Sequence, residues 1–146
     1  MRKNIIILPL LLIMVAISFS IAKKDQSYSA TDILENADFN VENPTITIHS
    51  VNTDKVDNTD NNDIYTQIEI PEETQKKLIQ AFQNAKFDKT TINPIDYDYR
   101  ITISLNTDYT MYLVLDKKSL TVTSTHVNYA IVNNSDFFSI FKKATK

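Results

Sequence analysis

The chain has 146 residues, with 15 basic and 18 acidic side chains, a net charge of -3, no cysteine and no glycine. That length holds one domain and a short appendage, and the acidic balance argues against nucleic acid or anionic lipid as a partner, because both reward clustered Lys and Arg. Without cysteine there are no disulfides, thiolate nucleophiles, thiolate metal sites or lipidated cysteine, and without glycine there is no glycine-rich phosphate loop or dinucleotide fingerprint.

The first 24 residues read MRKNIIILPLLLIMVAISFSIAKK, a basic start, an apolar run and then small residues before two lysines. This is the grammar of an export signal. The run from Ile5 to Ala22 would be about 27 Å long as a helix, near the lower limit for crossing the hydrocarbon core. Ser20 and Ala22 suit cleavage after Ala22, whereas the length of the run suits retention as an anchor. Either way, residues 1–22 are expected to place the remainder outside the cytoplasmic membrane. Two of the 15 basic residues, Arg2 and Lys3, lie in this leader, so from Lys23 onward 13 basic side chains face 18 acidic ones and the net charge is -5.

Residues 23–43 are polar and mixed, with one weak helical turn around Thr31 to Ala37, and read as a tether to a single domain over 44–146. PTITIHS then alternates, with Ile46 and Ile48 on one face of a strand and Thr45, Thr47 and His49 on the other. A polar loop, NTDKVDNTDNND, joins it to a second strand over Ile64 to Ile70. Pro71 followed by Glu72 and Glu73 starts a helix, because proline is tolerated in the first turn and acids complement the helix dipole there. Leu78, Ile79, Phe82 and Ala85 form its buried stripe.

Asn93 and Pro94 break the chain before the strongest strand, where Tyr97, Tyr99, Ile101, Ile103 and Leu105 are expected to share a face. YTMYLVL and LTVTST continue as a meander and VNYAIV adds a last strand. Ser135 then caps a closing helix in which Phe137, Ile140, Phe141 and Ala144 lie together. With no glycine, tight turns fall to Asn and Asp, which tolerate left-handed backbone, and Asn106, Asp108, Asn133 and Asn134 stand where turns are needed. The expected architecture is α+β, an antiparallel sheet of about five to six strands with two amphipathic helices covering one face.

Few residues suggest chemistry. In the acidic loop 54–63 and just beyond it, Asn58, Asp60, Asn62, Ile64 and Glu69 fall at the first, third, fifth, seventh and twelfth places of a calcium loop. Asp63, however, stands where that loop requires glycine, and a solvated hairpin tip explains the same residues. His49 beside Ser50 and His126 near Ser124 could act as base and nucleophile with an aspartate in support, yet nothing in the sequence fixes that geometry. Phe138 lies off its helix stripe and is a candidate contact residue. Asp96, Asp98 and Arg100 alternate with Tyr97, Tyr99 and Ile101. They read as the wet side of a strand, individually dispensable, together with Thr102, Ser104, Thr121 and Thr123. No catalytic, cofactor-binding or metal-ligating residue is assigned, and no cofactor is expected.

The stretch from LIQAFQNAKF through INPIDYDYRITISLN and MYLVL to VNYAIVNNSDFFSIF resembles the YhfM-like and neighbouring unknown-function small exported domains of low-GC Gram-positive bacteria. The likeness spans about residues 64 to 142 and lies in the order of elements. It implies a domain that follows a leader or anchor, and it transfers no activity. Residues and resemblance together lead to the expectation of a non-enzymatic extracytoplasmic binding or interaction module with an unknown protein or cell-envelope ligand. The alternative is an inhibitor or immunity-type protein acting on a secreted hydrolase.

Overall fold

The computed structural model describes residues 27–52, 64–92, 97–132 and 136–146. The leader 1–22, the acidic loop 54–63, Pro94, Asp96, Asn133, Asn134 and Ser135 lie outside them. Seven strands build one antiparallel sheet: β1 (Thr45–Val51), β2 (Tyr65–Ile68), β3 (Phe87–Lys89), β4 (Tyr99–Ser104), β5 (Asp108–Val114), β6 (Ser119–Val122) and β7 (Val127–Ile131). Their order across the sheet is β2-β1-β4-β5-β6-β7-β3. Among the described residues three helices, α1 (Ala30–Ile33), α2 (Glu72–Gln83) and α3 (Phe137–Ala144), pack into a single core with one face of that sheet.

Alternation decides which sheet face is inward. Ile46 and Ile48 on β1, Ile101 and Ile103 on β4, and Met111 and Leu113 on β5 are all buried, and the register sets Ile48 beside Ile101 and Ile101 beside Met111. Against them α2 lays Leu78, Ile79 and Phe82, with Ala85 just beyond its end, and α3 lays Phe137 and Phe141. The ring of Phe82 meets Phe87 at 5.2 Å and Phe137 at 5.5 Å between centroids, and Tyr99 meets Phe141 edge-on at 5.0 Å. Such tilted and edge-to-face contacts add to the large apolar area that each ring removes from water. On the exposed side of α2, Glu72 pairs with Lys76 and Glu73 with Lys77, each at 2.7 Å and one helical turn apart, in the favourable acid-before-base order.

The α+β class and the helix-covered face agree with the sequence reading; the element count does not. The seventh strand, Phe87–Lys89, has three residues, too few for a periodic signal. The third helix lies in the tract read as a tether. Ser29 and Asp32 form a capping box around its single turn, and the Ser29 hydroxyl and backbone N–H hold the Asp32 carboxyl below its ordinary pKa of 3.8. Ala30, Ile33 and Leu34 are buried, and Tyr28 exchanges two main-chain hydrogen bonds with Phe87, at 2.7 and 2.9 Å. An apolar pair in a polar segment was a weak signal; tertiary burial decided its fate.

The turns also differ from expectation. Left-handed backbone occurs at Asn36 (φ 62°), Lys118 (φ 48°) and His126 (φ 55°) among the described residues, and not at Asn106 or Asp108. Instead, Asn106 is a clamp: its amide donates to the Asn36 carbonyl at 2.9 Å and its oxygen accepts from the Asp38 N–H at 3.0 Å. That bridge fixes the chain after α1 to the β4–β5 turn. Phe138, proposed as an exposed contact, is only half-exposed and sets its ring against Phe137 at 5.4 Å. At α3 the flanking residue is Asp136, which makes no side-chain cap bond.

If residues 28–34 belong to the folded unit, Leu34→Ala should lose about 2 to 5 kcal/mol, as other large-to-small core changes do. Glu35→Ala, next to it and exposed, should stay within about 0.5 kcal/mol. Urea unfolding of the two variants separates a docked helix from a tether, for which both would be neutral.

Candidate functional site

The face opposite the helices carries one continuous row. Register places Gln67 on β2 beside His49 on β1, His49 beside Arg100 on β4, Arg100 beside Tyr112 on β5, Tyr112 beside Thr121 on β6, and Thr121 beside Asn128 on β7. Strand alternation alone puts each of these side chains outward. Only the strand order, absent from sequence periodicity, makes them neighbours.

Three tyrosines gather on this row. The Arg100 guanidinium lies over the Tyr65 ring at 5.2 Å, the Tyr65 and Tyr112 hydroxyls are 3.2 Å apart, and Tyr97 stacks on Tyr112 at 4.9 Å with the planes 22° apart. The Tyr97 and Thr121 hydroxyls are bonded at 2.9 Å, and Thr121 also donates to the Asn128 side chain. Cation–π attraction and ring stacking thus join three strands through side chains. The bond to Tyr112, and after it burial, raises the Tyr65 hydroxyl above the usual value of 10.0. The hydroxyl is held as a neutral donor or acceptor.

Tyr97 corrects the expected facing. Strict alternation would put it inward with Tyr99, but the Asp98 N–H donates to the Leu113 carbonyl and Leu113 is also the register partner of Tyr99. Two consecutive residues therefore oppose one, which is a β-bulge. The extra residue reverses the facing before it, sending Tyr97 outward onto Tyr112 while Tyr99 stays inward on Phe141. Asp98 is exposed, yet its carboxylate accepts the Leu115 N–H at 2.7 Å, and its carbonyl accepts from Val51 at 2.9 Å. It is a brace for the bulge, whereas the sequence read it as a dispensable wet residue. Arg100 is half-buried, with its Nε shielded from solvent and unpartnered.

The outer face is also less uniformly wet than alternation implies. Ser119 and Thr121 on β6, and Val114 on β5, are buried on that side, whereas Gln67 is exposed and His49 is half-buried. The chain runs from β3 at the sheet edge to β4 at its middle, and Tyr97, near the end of that connection, lies over β5 and β6. Among the described residues of this row Gln67 is exposed, and His49, Arg100, Tyr112 and Asn128 are half-buried.

The candidate catalytic pairs are not assembled. On one strand His49 points outward, while Ser50, which follows it, takes the opposite face and donates to the Thr66 carbonyl at 3.4 Å. His126 occupies a left-handed turn and is exposed, as is Ser124. Among the described residues no cluster of three or more His, Cys, Asp or Glu is placed to hold a metal ion. Of the calcium-loop set only Ile64 and Glu69 are described. A second depression, about 370 Å³ and lined by Glu35, Asn36, Asp108, Tyr109, Thr110 and Thr123 among others, is roofed by a bond from the Tyr109 hydroxyl to the Glu35 carbonyl. It holds no basic side chain. The chain matches no protein-family model, no curated protein and no solved structure.

Two measurements test this geometry. Asp98→Ala should cost about 1 kcal/mol in urea unfolding, since the Leu115 N–H loses a charged acceptor, while Asp98→Asn keeps an acceptor and most of the stability. Equal neutrality of both variants would show the brace to be idle. Alkaline titration tests the tyrosine pair. Because the folded state holds the Tyr65 proton more tightly than the unfolded state, its contribution is complete below pH 10.0 and declines as pH rises through the raised value. Tyr65→Phe should make that decline shallower, leaving the part due to Tyr129, whose hydroxyl is raised by burial.

Proposed function

We propose that this chain is a small extracytoplasmic binding or interaction module, secreted or held at the membrane by residues 1–22, and that it takes its ligand on the outer face of the sheet. It does no chemistry on that ligand. The observation that carries the reading is the Tyr65–Arg100–Tyr112–Tyr97 array on the face opposite the helices, bordered by His49, Gln67 and Asn128. Ring faces, a guanidinium and neutral amide and hydroxyl groups form a surface that recognises flat or weakly polar groups and fixes their orientation with hydrogen bonds. The net charge of -5 from Lys23 onward keeps such a module off anionic surfaces in general while leaving Arg100 as a local cation. A cell-envelope ligand agrees with the leader.

Soluble cell-wall fragments, titrated into the isotope-labelled chain, should shift the amide signals of β1, β2, β4 and β5 and leave those of α2 and α3 unmoved. Arg100→Gln and Tyr112→Ala should each weaken that binding by about tenfold or more, the scale of one well-placed contact. Shifts confined to the helices, or none, would defeat the reading.

A further inference from the structure

We propose that the free edge of β2 is a strand-addition site for an extended segment of a partner polypeptide whose flanks are basic. This inference stands apart from whether the outer face takes a ligand, and it gives the inhibitor or immunity-type alternative a physical mode of action.

The inference starts from which main-chain groups have partners. The Asn52 N–H donates to the Ile64 carbonyl at 2.9 Å, in the same register that pairs Ser50 with Thr66 and Ile48 with Ile68. In an antiparallel ladder, hydrogen-bonded pairs alternate with non-bonded ones, so Thr66 and Ile68 turn their N–H and C=O groups toward β1. Tyr65 and Gln67 turn theirs away. Since β2 is the outermost strand, these four groups face no other strand among the described residues. Only another extended chain offers donors and acceptors at the matching spacing.

The two edges of the sheet are treated differently. At the far edge, Phe87 is the first outward-bonding residue of β3, and both of its main-chain groups are taken by Tyr28. The next outward residue is Lys89, a charge of the kind that blunts edge pairing. On β2 the sequence is Tyr-Thr-Gln-Ile, without lysine, proline or an internal charge. Tyr65, Thr66 and Ile68 favour extended backbone. Among the described residues, one edge is closed and guarded and the other is neither.

Charge selects the occupant. A second copy could pair antiparallel about Thr66, setting Tyr65 against Gln67, but it would bring together two domains that each carry a net charge of -5 from Lys23 onward. Like net charges oppose association. A segment with Lys or Arg beside its extended part meets Glu69 and the net charge of -5 with the opposite sign. The partner is therefore a different protein.

Amide hydrogen exchange on the isotope-labelled full chain in detergent micelles tests this, with the synthetic peptide acetyl-Lys-Thr-Val-Thr-Val-Thr-Lys-amide as the probe. In the free protein the Tyr65 and Gln67 amides should exchange fast while Thr66 and Ile68 are protected. The peptide should slow Tyr65 and Gln67 by about tenfold or more. The same peptide methylated at alternate backbone nitrogens should have no effect, because it lacks the donors. Gln67→Pro removes an outward N–H and leaves the β1 pairing intact, so it should abolish the peptide effect with the circular dichroism unchanged; if that variant unfolds, the methylated peptide still decides. Slow exchange at Tyr65 and Gln67 in the free protein at every dilution would mean that the edge is already covered. Protection that grows with protein concentration alone would assign the edge to a second copy. Either result, or no protection at millimolar peptide, overturns the proposal.

Discussion

The doubled opposition at Leu113, where both Asp98 and Tyr99 face one residue of β5, is the constraint on which both sides of the sheet depend. Below it Tyr99 reaches the Phe141 ring and ties β4 to α3. Above it Tyr97 is turned out to stack on Tyr112. A regular strand would place the two tyrosines on the same side, leaving Tyr112 without its stacked partner and adding a further ring to a core already filled by Phe82, Phe87, Phe137 and Phe141. Interiors pack at crystal-like density, so an additional aromatic ring there would carry a strain cost. Asp98 holds the extra residue in place by accepting the Leu115 N–H and offering its carbonyl to Val51. A single exposed carboxylate thus sits at the junction of three strands.

That arrangement explains why so much of the fold was legible from the residues and so little of the candidate site. β1, β4 and β5 alternate large inward residues, Ile46 and Ile48, Tyr99, Ile101 and Ile103, and Tyr109, Met111 and Leu113, and α2 repeats its apolar residues at helical spacing. Each pattern is a direct imprint of a covered face, and each was found. β3 is too short to print a period. α1 is a single turn that draws its stability from burying Ile33 and Leu34 against the core, a property of the assembled fold. The left-handed positions at Lys118 and His126 followed no residue preference, because a chain without glycine must place other side chains wherever its turns fall.

The site was hidden for a different reason. His49 and Arg100 were each read as outward, and correctly, while Tyr112 was given no facing; the adjacency of the three follows from the order β1-β4-β5, in which β1 and β4 are far apart in sequence. The bulge has no residue signature, so Tyr97 was assigned to the wrong face and Asp98 to the wrong role. A sharper signal existed in principle: Tyr65, Tyr97 and Tyr112 are unusually large for positions beside polar outward residues, and large rings on a wet face call for partners.

The main-chain exchange between Tyr28 and Phe87 also has a mechanical side. A pull applied from the N-terminal direction first meets those two hydrogen bonds, then the short turn of α1, and only afterwards the long ladders between β1, β4 and β5. Bonds loaded one pair at a time yield sequentially, whereas a ladder pulled along its length must break all at once. Among the described residues, the first tie on that path is the single Tyr28–Phe87 bridge. Tension arriving there would peel away β3's cover and expose the main-chain groups of Phe87 while the central strands stayed closed.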